Sequence, residues 1–139
     1  MRFERNEIEQ LLSNHYVYES KIKKLSEQIE ILEARATKKT TSYSQDQGST
    51  PITNPKPSKV EKNAIKLAEC KKIKEDFERL YDYSTRMYHE LRPHQRYMIR
   101  CVKANKMPYK EFAKRQEIKP AHVKSNVDRC VKRLASMDW

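Results

Sequence analysis

The chain has 139 residues, a formal net charge of +11, 37% hydrophobic and 35% charged residues, and a single Gly. This composition describes a mostly helical chain with a large exposed surface rather than a thick globular core. No apolar run reaches the length of a membrane span, and the charged opening "MRFERNEIEQ" lacks an apolar signal core, so neither a spanning nor a secreted protein is expected and the location implied is the cytoplasm.

Residues 1–36 carry Ile8, Leu11, His15, Tyr18, Ile22, Leu25, Ile29 and Leu32 as an unbroken a/d heptad series. That spacing predicts one long helix with a coiled-coil seam. Ile at a with Leu at d in the second half favours a parallel two-stranded coil. Ile8, Leu11, Ile22, Leu25, Ile29 and Leu32 are therefore the candidate dimerisation residues of a homodimer. The competing reading is an intramolecular hairpin with the next helix. His15 and Tyr18 interrupt the apolar seam, either to set register or to pack against another element.

Residues 37–58, "TKKTTSYSQDQGSTPITNPKPS", are rich in Ser, Thr, Asn, Gln and Pro and show no periodicity, which predicts a flexible linker. The remaining domain, residues 59–139, opens on "SKVE", where Ser58 and Glu61 have the spacing of a capping box. A long helix follows, with Val60, Ala64, Leu67, Cys70, Ile73, Phe77, Leu80, Met87 and Leu91 at helical steps, and it ends before "RPHQ". Pro93 suits the first turn of a further helix with Met98, Ile99 and Val102 inward.

The stretch "PYKEFAKRQEIKPAHVKSNVDRCVKRL" reads as two short helices about a tight turn. Phe112 and Ala113 face inward in the first, Ile118 plugs the turn, and Pro120 starts the second. Val123, Val127, Cys130 or Val131, and Leu134 then face the core. The whole chain is thus expected to be all-α: a long heptad helix, a linker, and a helical domain ending in a helix-turn-helix.

Charge points to the partner. Residues 92–134 hold thirteen Lys and Arg against three Asp and Glu, whereas residues 1–36 hold six against seven and residues 59–91 eight against seven. A basic surface so localised is the electrostatic footprint of a nucleic-acid binder. An anionic membrane would also require a wide exposed apolar face, and the apolar residues here are committed to a core. Double-stranded DNA is the expected partner. His122, Ser125, Asn126 and Arg129 are the candidates to read bases, and Lys110, Lys119, Lys124, Lys132 and Arg133 to hold phosphates.

Residues 91–134 resemble region four of bacterial sigma factors, through "YKEFAKRQEIKPAHVKSNVDRCVKRL", with Glu111 and Ala113 in the first helix, Ile118 in the turn and "VKS" at 123–125. The family usually has Gly in that turn, where this chain has Glu117, and a residue with a Cβ tolerates positive φ less readily. The layout of heptad helix, polar linker, "SKVEKNAIKLAE", long helix and sigma-like end resembles the late-gene transcription regulators of phages of Gram-positive bacteria, the RinA/ArpU type. That resemblance implies an activator of phage packaging and structural genes working beside the host RNA polymerase. The rival is a phage small terminase subunit, which also joins a helix-turn-helix to an oligomerising helix but normally binds DNA through its N-terminus and forms rings.

Other classes have little support. There is no glycine-rich phosphate loop or paired-carboxylate cleft, and His15, His89, His94 and His122 are scattered without a nucleophile partner, so no enzyme is expected. Cys70, Cys101 and Cys130 have no CxxC or zinc spacing and are expected to be reduced, buried thiols, with no metal and no cofactor.

Overall fold

Apolar residues recur at three- and four-residue steps through most of this chain, and in the computed structural model, which describes residues 1–43 and 59–139, every regular element is helical. The helices are α1 (Arg5–Ser13), α2 (His15–Tyr43), α3 (Lys59–Glu90), α4 (Pro93–Ile99), continued by a π-helical turn (Arg100–Ala104), α5 (Tyr109–Gln116) and α6 (Pro120–Ala135). Among the described residues, no helix is long and apolar enough to cross a membrane. The capping box at Ser58 and the linker at residues 44–58 lie outside the described residues. Residues 37–43, expected as linker, instead continue α2.

The expected single helix over residues 1–36 is broken at Asn14, which ends α1 with φ −99° and ψ 10°. Asn competes with helical backbone bonding through its own side chain, so it is a natural place for such a break. The break lets α1 turn its apolar face into the C-terminal part of the chain. Ile8, Leu11 and Leu12 are buried there, and α1 packs on α6 and on the π turn.

The described residues form two compact units. One unit joins Met1–Glu19 to Glu78–Trp139, and the other is Ser20–Phe77. In the first, Met87 and Tyr88 of α3, Leu91 just after it, Met98 and Ile99 of α4, and the inward residues of α5 and α6 form the core with α1. Helix ends are satisfied by side chains, as buried termini require. The Tyr88 hydroxyl donates to the Leu12 carbonyl at 2.8 Å, and burial pushes that hydroxyl's pKa up. Arg96 of α4 donates to the Tyr88 and Leu91 carbonyls at 2.9 and 3.3 Å, closing the end of α3.

In the second unit α2 and α3 pack through Ile29, Leu32 and Cys70, with Leu25 and Leu67 against them. Glu33 and Lys71 pair at 3.5 Å beside this seam. Four of the six candidate dimerisation residues, Ile8, Leu11, Ile29 and Leu32, are buried within the chain. Ile8 and Leu11 sit in the first unit, Ile29 and Leu32 are buried against α3, and Ile22 and Leu25 are half-buried. Ile73, expected inward on α3, is exposed.

Candidate nucleic-acid interface

The α5–turn–α6 element is built by local chemistry that the sequence announces. Tyr109–Gln116 and Pro120–Ala135 occupy the spans expected of the two helices, with Pro120 in the first turn of α6. Phe112 and Ala113 are buried on α5, as are Val123, Val127, Cys130, Val131 and Leu134 on α6. Ala113 is only 1% exposed, and its small side chain permits the close approach of α5 to α6. Burial among these residues pushes the Cys130 thiol pKa up.

Glu117 closes α5 in the left-handed conformation, φ 57° and ψ 40°. The Ile118 N–H donates to the Ala113 carbonyl at 3.0 Å and the Glu117 N–H to the Lys114 carbonyl at 3.3 Å. These paired bonds are a Schellman closure, which usually has Gly at the left-handed position. The turn therefore forms with the geometry a glycine would adopt, although a Cβ is present. Ile118 does not plug it: its side chain is 39% exposed. The backbone bonds close the turn, and Phe112, Ala113 and Val123 are buried where Ile118 is not.

His122, Ser125, Asn126 and Arg129 are all exposed and, with Ile118, line one surface groove of about 340 Å³. At 3.6 residues per turn the four α6 residues fall within an arc of about 100°. The same helical geometry separates the candidate phosphate residues. Arg133 lies within about 20° of His122 and extends the groove-lining row, whereas Lys124 lies about 200° round the helix. Lys119 stands at the N-cap of α6, and Lys110 and Lys132 are exposed.

Several other cations of the basic stretch have structural work. Arg96 caps α3, Lys103 pairs with Glu9 at 3.5 Å, and Arg100 lies over the Tyr88 ring at 5.7 Å. Arg115 pairs with Glu111 at 2.9 Å, so that carboxylate is not engaged with Arg129. Among the described residues Lys110, Lys119, Lys124, Arg129, Lys132 and Arg133 take part in no ion pair. Their field is therefore uncompensated at close range and available to an anionic partner. Ile118 is the groove residue that reading the sequence misplaced. Its signal was present in its position four residues before His122, but apolar character argued for burial. No group of His, Cys, Asp and Glu among the described residues could hold a metal ion. No protein-family model, curated protein or solved structure matches this chain.

Proposed function

We propose that this chain is a sequence-specific double-stranded DNA-binding protein in which α5 and α6 act as a helix-turn-helix, with α6 in the major groove. The observation that carries the reading is the single groove lined by His122, Ser125, Asn126 and Arg129 on the exposed side of α6. Asn and Arg are the side chains that pair bidentately with adenine and guanine edges. Unpaired Lys110, Lys119 and Lys132 beside them suit phosphate contacts, which position the protein without reading sequence.

The resemblance to sigma factor region four supports a transcriptional role, and the resemblance to phage late-gene regulators supports activation beside a host RNA polymerase. In this reading α1 belongs to the DNA-binding unit and supports α6 by packing on it.

Gel-shift titrations test the proposal. The full chain selects duplexes from a random-sequence pool, and the selected duplex is compared with a scrambled one. Asn126→Ala or Arg129→Ala should each weaken selected-duplex binding by about 1–3 kcal/mol and leave scrambled-duplex binding nearly intact. Lys119→Ala should weaken both together. Equal losses on both duplexes for Asn126→Ala and Arg129→Ala would place the reading face elsewhere, and failure to enrich any duplex would refute sequence-specific binding.

A further inference from the structure

Ile118 is the one aliphatic side chain in a groove otherwise lined by His122, Ser125, Asn126 and Arg129. It is 39% exposed, while Ala113, Phe112 and Val123 around the turn are 1%, 4% and 0% exposed. Its side chain is therefore not what closes the α5–α6 core. Its backbone is held, because its N–H donates to the Ala113 carbonyl at 3.0 Å and Lys119 and Pro120 begin α6 directly after it. A β-branched residue on a fixed backbone has few rotamers to lose, so it presents a stiff apolar knob at small entropic cost.

The major groove displays donors and acceptors on every base pair, and one apolar feature, the C5-methyl group of thymine. An apolar knob at the N-terminal end of a hydrogen-bonding row has that group as its chemical complement. We propose that Ile118 is a specificity-determining residue that packs against a thymine methyl beside the bases met by His122 and Asn126. This inference rests on the DNA-binding reading above.

The test uses the full chain and the duplex it selects from a random-sequence pool. Each thymine of that duplex is replaced singly by deoxyuridine, which keeps the hydrogen-bonding edges and removes only the methyl. At one position uracil should weaken binding by the parent protein about fourfold, the worth of one buried methylene-sized group. At that position Ile118→Ala should bind the thymine and uracil duplexes equally, while Ile118→Val should retain part of the preference. Thermal unfolding of Ile118→Ala within a few degrees of the parent shows that the fold is kept, as the exposure of the side chain predicts. A uracil penalty that persists in Ile118→Ala would overturn the inference and leave DNA reading standing, since another residue would then sense the methyl. Equal weakening by Ile118→Ala on selected and scrambled duplexes would also overturn it, by assigning the residue to the fold. A pool from which nothing is enriched would remove both readings.

Discussion

His15 Nδ1 lies 2.7 Å from Ser84 Oγ, a buried contact between α2 and α3 across 69 residues of sequence. The Ser84 hydroxyl donates to the Tyr81 carbonyl at 2.9 Å, so its oxygen accepts from His15 Nδ1–H. The imidazole stacks on Tyr81 at 4.8 Å, with Tyr16 and Tyr88 beside it. A residue that breaks the heptad seam in the sequence is thus a member of a buried polar–aromatic cluster.

That cluster predicts acid sensitivity. Burial lowers the His15 pKa, Glu19 opposes the shift and Arg100 reinforces it. The folded state then stays neutral where the unfolded chain takes a proton. Stability should be full above about pH 6.5 and decline as the pH falls below it. Urea midpoints at about pH 7.5 and about pH 5.5 measure the decline, and His15→Phe should reduce it. An unchanged pH dependence in His15→Phe would assign the effect to other groups.

The left-handed Glu117 predicts a stabilising substitution. A residue with a Cβ costs about 1–2 kcal/mol in that conformation, and Gly removes the cost while adding about 0.5–1 kcal/mol of unfolded-state entropy. Glu117 is exposed, so little contact is lost. Glu117→Gly should raise stability by up to about 1 kcal/mol, and Glu117→Val should lower it. Chemical denaturation of both variants checks the sign.

The burial of α1 within the unit of Met1–Glu19 and Glu78–Trp139 predicts that Ile8→Ala is costly. Ile8 is 0% exposed, and truncating a buried isoleucine typically costs about 2–5 kcal/mol. Denaturation should show that loss, and the proposed DNA binding should fall near the midpoint although Ile8 is fully buried. A separate N-terminal coil would instead leave the stability of the C-terminal helices unaffected.

The seam of α2 and α3 predicts the outcome of Leu32→Asp. Leu32 is 4% exposed against its neighbours, and a charge there has no partner to offset its desolvation. Helicity measured by circular dichroism should fall while the mass in sedimentation stays the same. A drop in mass would show that the seam also holds two copies together.

The uncompensated cations beside α6 predict a steep salt response. Six to ten phosphate contacts would lose on the order of a thousandfold or more in affinity between about 50 and 200 mM salt, through counterion release. Titrations at several salt concentrations read the slope directly. A flat response would exclude DNA as the ligand of this surface.

The helices near the C-terminus were legible because their signals are local. Pro120 in the first turn of α6 and the spacing of Val123, Val127 and Leu134 determine a start and a buried face without reference to the rest of the chain. The same periodicity placed His122, Ser125, Asn126 and Arg129 together, since residues three and four apart share a side of any helix.

Tertiary structure alone decided what the heptads meet. A three- and four-residue apolar repeat states that a face must be buried, not whose surface buries it. Asn14 directs Ile8 and Leu11 towards α6, and Cys70 with Leu67 covers Ile29 and Leu32, so one repeat serves two cores. Ile118 follows the same logic in reverse: apolar character predicted burial, and the side chain is exposed while Phe112, Ala113 and Val123 are buried. Composition and periodicity determine that faces must pair, and the choice among available surfaces depends on the packing of residues far apart in sequence.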